Sequence, residues 1–451
     1  MKIAVVGSGI AGLSAAWLLG RAHDVTLFEK HDHLGMDARS LDVVDESNRA
    51  RIDVPLRVFF SGFYPNLTAL YQQLGIQSEA INYAASFGAL NENSYFRYSN
   101  YRLGRRSVPF LKGAGSFKPK ALRIGWEILR LSRKAPKSLA DGIPDEMTLE
   151  DYLAENDYSK DFAEGFLYPA YAAICTCSHD SVKAYPARVI LEYINSGLLL
   201  SAVRRVTDGT QEVVKRLSAP AKQVHLRSQV VGIARTGGGV SIRTPDNTET
   251  FDHVVVAAQA NQAVQLLEGP SADEQEALDC FAYEPSRVVV HTDPRLAPPG
   301  GESRWAPVNF LLAQDDAAPM ATIWMNAIQE MPGPRPIFQT WNPVIEPEPS
   351  RVLGQAEFER PIVNATSLKG LKRLATLHQQ PDRRIWFCGS YASHGIPLLE
   401  SAVKSAMAVA EDLGVACPWH QPTIHSRPPA PARDGNGMAS DRATPSAHST
   451  R

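Results

Sequence analysis

The chain has 451 residues, 44% of them hydrophobic and 21% charged, with a formal net charge of −2. This length suits two or three domains' worth of core, and the near-neutral balance excludes a general attraction to nucleic acid. No apolar run is long enough to cross a bilayer, and five cysteines, an odd number, do not make a disulfide framework, so the expected compartment is the reducing cytoplasm.

The first stretch, KIAVVGSGIAGLSAAWLL (2–19), admits two readings: the start of a secretory signal, or a strand, turn and helix that receive a nucleotide diphosphate. A signal needs an uninterrupted apolar core followed by a cleavage site. Here Gly7, Gly9 and Gly12 interrupt the run at G-x-G-x-x-G spacing, between strand-like Ile3–Val6 and helix-like Leu13–Leu19. In that arrangement Gly7 permits the sharp turn, Gly9 lets the backbone approach a pyrophosphate, and Gly12 lets the helix pack close to the sheet. The helix N-terminus then offers free N–H groups to the phosphates. Val25–Phe28 reads as the next strand and ends at Glu29, seventeen residues after Gly12. A carboxylate there can accept hydrogen bonds from both ribose hydroxyls and would repel a 2′-phosphate, so the expected ligand is an adenine dinucleotide other than NADP.

From Arg102 to Lys137 there are eleven Lys or Arg and one acid, Glu127. Within that stretch, residues 118–137 place Leu122, Trp126, Leu129 and Arg133 on one helical stripe with basic residues around it. Two readings stay open. The stripe packs on the core, the commoner fate of such a face, or it lies on an anionic lipid surface, giving peripheral membrane contact. MTLEDYLAEN (147–156) starts a helix with Thr148 as N-cap, and a helical region continues to Leu200. Short strands return in 222–244, 251–259, RVVVHTD and ATIWMNAI, and a Pro- and Ser-rich tail from 418 to 451 reads as disordered.

The fingerprint with Glu29, HLGMDAR (33–39), IDVPLRVF and YPNLTALYQQLGI (52–76), DHVVVAA (252–258) and WFCGSYASHGIPLLESAVKSAMAVAEDL (386–413) together resemble the flavin-containing amine oxidoreductase superfamily. That group includes monoamine oxidases, phytoene desaturases and protoporphyrinogen oxidase. The chain looks most like a bacterial branch described as predicted NAD/FAD-binding proteins. The resemblance implies an α/β fold: an FAD/NAD(P)-binding Rossmann-like domain of the glutathione-reductase type, built from residues 1–90, 201–269 and 381–417. An inserted α+β substrate-binding domain would comprise 91–200 and 270–380. It also implies non-covalent FAD. Contacts are expected at Gly7, Ser8, Gly9, Ile10, Ala11, Gly12, Glu29, Lys30, Gly35, Arg39, Val230, Gly389, Ser390, Glu400, Ser401 and Ala402, the last three through N–H groups at a helix start facing the flavin ring. Met36 and Pro55 stand where the family usually has glycine, and Ala402 and Ala406 replace helix glycines.

The flavin would carry the redox chemistry, and the chain would supply orientation and any proton transfer. His394 is the expected acid or base, set against a surface-loop role, and Tyr391 is expected to flank the ring, set against packing. Trp324 and Asn326 could line the substrate cavity or serve the core, and His291 reads as a satisfied strand-end histidine. CTC (175–177) reads as core thiols, and no metal site is expected. Three functions follow: oxidation of a hydrophobic small molecule (an amine, a lipid or an isoprenoid), flavin-dependent double-bond isomerisation, and flavin binding without turnover. The substrate, the electron acceptor and the oligomeric state stay open.

Overall fold

The computed structural model describes residues 1–36, 39–45, 48–103, 106–312 and 320–419. From residue 420 onward, the tail expected to be disordered lies outside the described residues, as do Asp37 and Ala38 of HLGMDAR.

The chain starts with β1 (Lys2–Val6), α1 (Ile10–Leu19) and β2 (Asp24–Phe28). β1 and β2 pair in parallel, and their IAVV and VTLF runs are buried. Continuous β-branched and apolar sequence of this kind is what a parallel strand covered on both faces requires. α1 is buried nearly all round. It lies between the sheet and a helix from near the chain's end, where alanines at 402, 406 and 410 permit close approach.

After α2 (Pro65–Gln73), the chain enters a second layer with β3 (Ala85–Ala89), β4 (Phe96–Leu103) and β5 (Arg106–Leu111), then the long helix α3 (Pro119–Asp141). It returns to the first layer with β6 (Gln223–His225) and β7 (His253–Val256). β8 (Tyr283–His291), β9 (Val308–Leu312), β10 (Met320–Trp324), β11 (Phe338–Trp341) and β12 (Val352–Pro361) belong to the second layer. β13 (Ile385–Phe387) and α4 (Leu399–Asp412) close the first.

The first layer is a five-stranded parallel sheet in the order β6-β2-β1-β7-β13. Residues far apart in sequence meet here: Val255 stands opposite Val5 on one side and Trp386 on the other. The second layer is an eight-stranded sheet, β12-β8-β11-β10-β9-β3-β4-β5, antiparallel except where β9 meets β3. β3, which the sequence reading places with the nucleotide segments, therefore pairs in the second sheet, with Phe87 stacked on Phe310 at 4.5 Å.

Two local expectations can be followed into the structure. Thr148 is the N-cap of the helix Leu149–Glu155, in a capping box with Asp151. The favoured reading of α3, however, is corrected. Leu122, Trp126 and Leu129 are 49%, 60% and 54% exposed, whereas Ala121, Ile124, Leu131 and Ala135 face the core. The small alanines permit close packing on that side, and Glu127 is accommodated there because its carboxylate accepts hydrogen bonds from Ser159 N at 2.9 Å and Ser159 Oγ at 2.5 Å. Trp126, the bulkiest apolar residue of the helix, is left facing outward with Leu122 and Leu129.

Candidate functional site

The site forms where β1, β2 and β7 end, the position at which open parallel sheets bind ligands. Gly7 takes φ +99°, a left-handed conformation, and a Cβ there would stand 2.9 Å from Ala257 O. A Cβ on Gly12 would stand 1.9 Å from Gly7 O, so the turn closes only with hydrogen at that place. Gly9 differs from both. A Cβ there meets nothing within 4 Å, because the position faces open space at the N-terminus of α1.

Glu29 ends β2 and is buried, with its carboxylate shared among two backbone N–H donors and one hydroxyl. Oε2 accepts from Ser8 N at 3.1 Å and from Ser8 Oγ, and Oε1 accepts from His31 N at 2.9 Å. Ser8 Oγ in turn accepts from Gly35 N at 2.8 Å. This network fixes the turn after β1 relative to the loop after β2.

Two adjoining chambers run across this edge. The first, about 600 Å³, is lined by Gly7, Ser8, Gly9, Glu29 and Val230, among others. The second, about 750 Å³, is lined by Ile10, Ala11, Gly389, Ser390, Tyr391 and Ala402, and continues between the two sheets. Gly9, Lys30, Gly35, Arg39 and the Ala257–Gln259 segment line both, so the chambers form one elongated cleft. Met36 and Pro55, the departures from glycine, also line the second chamber.

Four of the expected residues do not line the cleft. Gly12 lies behind the turn as a packing position. Glu400 directs its carboxylate to the N-terminus of α2, accepting from Asn66 N at 3.1 Å, Asn66 Nδ2 at 2.7 Å and Leu67 N at 3.0 Å. Ser401 Oγ donates to Ile396 O at 2.8 Å. His394 is displaced outward: the loop after Gly389 carries it to the surface, where Nε2 lies 2.8 Å from Glu192 Oε2. An acid–base role over the cleft does not fit that position.

Tyr391 is buried in the cleft wall with its ring edge-on to Phe281 at 4.9 Å, and its hydroxyl has no partner among the described residues. A Cβ on Gly389 would meet that ring at 2.6 Å, so the glycine makes room for the tyrosine. Trp324 stands edge-on to Trp305 at 5.4 Å, and Asn326 bonds Ile337 N and Arg335 O, so both serve local structure. Ile323, one residue earlier on the alternating strand, lines the chamber instead. His291 is fully buried, with Nε2 2.7 Å from Thr340 Oγ1 and Nδ1 accepting from Asp293 N, and burial lowers its pKa to about 4. Cys175 and Cys177 are buried free thiols.

The remaining wall of the second chamber was not legible in the sequence. Phe60, Tyr64, Tyr83, Tyr193 and Trp341 give it an aromatic lining, and Arg57 and Arg360 supply two guanidinium groups. Arg360 lies 5.6 Å from the Phe358 ring and 5.8 Å from the Trp341 ring, and its Nε is enclosed without a hydrogen-bond partner among the described residues. Burial, with the neighbouring Arg57 charge, lowers its pKa to about 10, so it remains a cation at neutral pH. Burial also pushes Tyr83 up to about 12 and Tyr64 and Tyr193 well above the usual tyrosine value. These hydroxyls stay protonated and are not bases.

The profile described as flavin containing amine oxidoreductase matches residues 10–414. The chain belongs to that family. An L-amino-acid oxidase of Bungarus fasciatus is 26% identical over 299 residues, which are 61% of this chain and 54% of that protein. The chain spans about half the length of the curated relatives it matches. Among solved structures, a fatty acid isomerase of P. acnes that produces CLA shares the fold at TM-score 0.65 and 16% identity, over 91% of this chain and 98% of that one. Cyclohexylamine oxidase of Brevibacterium oxydans shares it at TM-score 0.59 and 15% identity, over 92% and 99%. Family members bind FAD, and the cleft fits it: the open approach at Gly9, the carboxylate at Glu29 and the elongated two-chamber shape match a dinucleotide.

Proposed function

We propose that the protein is an FAD-dependent oxidoreductase acting on a hydrophobic small molecule that carries a carboxylate. The observation behind this substrate class is Arg360, a cation set into an aromatic chamber. A guanidinium held among aromatic rings needs an anionic partner, and a carboxylate satisfies its planar donors best. The aromatic lining of the same chamber matches an apolar body attached to that carboxylate.

Bound FAD supplies the redox step, accepting a hydride from a substrate C–H bond. The chain's part is to hold and orient. The backbone at Gly7–Gly9 and the start of α1 cradle the pyrophosphate, with Arg39 beside it. Glu29 accepts from the ribose hydroxyls, and Val230 offers its backbone to the adenine. Gly389, Ser390, Tyr391 and Ala402 border the ring end. The parallel sheet is the cofactor part of the molecule, and the second sheet with its helices is the substrate part. Peripheral membrane contact through α3 belongs to the same reading, because its outward face is apolar and flanked by basic residues.

The test uses the holoprotein without oxygen and a panel of hydrophobic amino acids and fatty acids beside their amides or methyl esters. Acids should perturb or bleach the flavin spectrum, and Arg360→Gln should weaken that response by about 10- to 100-fold while leaving neutral analogues unchanged. Equal affinity for acid and amide would remove the carboxylate assignment. The likeness to the fatty acid isomerase keeps a second reading, double-bond isomerisation, which would convert a polyunsaturated acid without net flavin bleaching or oxygen uptake.

A further inference from the structure

Eight of the thirteen exposed large apolar residues among the described ones fall on elements that touch one another. Tyr101, Val108 and Phe110 share one face of the β4–β5 hairpin, Tyr101 directly opposite Val108. Phe117 ends a short turn of helix that packs on both the hairpin and α3. Leu122, Trp126 and Leu129 form the outer stripe of α3, and Leu200 ends a 3₁₀ turn, Leu198–Leu200, packed against β5. Phe117 and Leu200 are each 62% exposed and Tyr101 is 65% exposed.

The charge pattern identifies what this face meets. Between Phe96 and Trp126 the sequence has no acid, and Glu127 is turned into the core. Lys118, just before α3, and Arg133 and Lys137 on it are exposed and form no ion pair among the described residues, while Lys120 and Arg123 lie near Asp161 at 3.7 and 3.5 Å. An apolar face of this extent bordered by unpaired cations matches the anionic surface of a lipid bilayer, with its headgroups at the rim and acyl chains at the centre.

We propose that the β4–β5 hairpin, the outer face of α3 and the Leu198–Leu200 turn together form one docking surface for an anionic bilayer, against which the protein lies without spanning it. No described helix is long and apolar enough to cross a membrane. The same short turn connects this surface to the cleft, since Leu198 lines the substrate chamber and Leu200, two residues later, is on the docking face. A hydrophobic substrate can thus reach the chamber from the lipid side. The inference extends the α3 contact of the proposed function to the hairpin and the Leu198–Leu200 turn, and rests on the proposed substrate class only in that last respect.

Co-sedimentation of the holoprotein with vesicles tests it. Vesicles of phosphatidylcholine with about one-third phosphatidylglycerol should bind the protein, pure phosphatidylcholine should bind it at least about tenfold more weakly, and added salt should weaken the binding. Replacing Phe110, Trp126 and Leu129 with Asp should abolish binding without loss of flavin absorbance, since all three side chains are exposed. Lys118→Gln, Arg133→Gln and Lys137→Gln together should weaken it by about a hundredfold, at about fivefold per charge removed. Brominated lipid should quench wild-type emission more than that of Trp126→Phe. Absence of binding, or equal binding to neutral and anionic vesicles, overturns the proposal. So does a concentration-dependent dimer that the triple Asp variant abolishes when no vesicle binding is seen, because the face then belongs to a second copy. No substrate enters the assay, so docking can fail while the carboxylate reading stands, and the reverse.

Discussion

Gly9 and Gly12 are three residues apart in one motif, yet the structure assigns them separable tasks. In Gly12→Ala the new Cβ would stand 1.9 Å from Gly7 O and 3.0 Å from Ala257 Cβ, where ordinary contact begins at 3.4 Å. The start of α1 would have to withdraw by about 1.5 Å from a turn already held by the Gly7 N to Phe28 O hydrogen bond. Overpacking against backbone falls at the upper end of its usual range, about 3 kcal/mol. Gly9→Ala has no such clash. Its φ of −61° and ψ of 174° suit any residue, so folding stability should change by no more than about 0.5 kcal/mol. The methyl group would instead occupy the open space at the start of α1 where the proposed binding mode puts the pyrophosphate. A loss of about 2 to 3 kcal/mol of binding corresponds to a Kd for FAD about 30- to 150-fold higher. Urea unfolding of the apoprotein gives the first quantity, and titration with FAD followed by flavin fluorescence gives the second. Gly9→Ala with native affinity for FAD would refute the placement of the phosphates. An apoprotein destabilised as much as Gly12→Ala would refute the geometry itself.

Glu274 is fully buried and accepts from Arg235 and, at 3.1 Å, from Arg383, whose side chain is itself almost enclosed. Glu274→Ala should cost about 3 to 5 kcal/mol in denaturant unfolding because it strands the Arg383 charge, and a loss below about 1 kcal/mol would show that water reaches that site. Acid stability is the second case. His291 is held neutral by burial, with its pKa lowered to about 4 from an ordinary 6.5, so its contribution is intact above pH 6.5 and shrinks as pH falls toward 4. Between pH 7 and 5 this group alone should remove about 2 kcal/mol of unfolding free energy, and His291→Gln should flatten the slope over that interval. An unchanged slope in that variant would mean that His291 does not carry the effect.

The sequence by itself determined the turn after β1 and the carboxylate that ends β2, on which the dinucleotide reading rests. G-x-G-x-x-G spacing and a carboxylate at the end of the second strand are local features: each depends on a turn geometry or a strand end that a few adjacent residues impose. For the same reason β1, α1, β2, the capped helix at Thr148 and the strand at DHVVVAA could be read directly. What lay beyond sequence reading depends on distance. Arg360 enters the chamber only because β12 pairs with β8, and nothing in FERP marks it as a chamber-lining residue. His394 had the right chemistry but the wrong place, because an exposed loop and Glu192 hold it outside. Glu400 sits at a helix start, as the family pattern suggests, yet its carboxylate is committed to α2, from a segment 333 residues earlier in the chain. For α3 the sequence shows a stripe at Leu122, Trp126 and Leu129, but periodicity identifies a stripe and not the side that faces the core. Packing against small residues and a satisfied buried carboxylate decided that, and left Leu122, Trp126 and Leu129 outside.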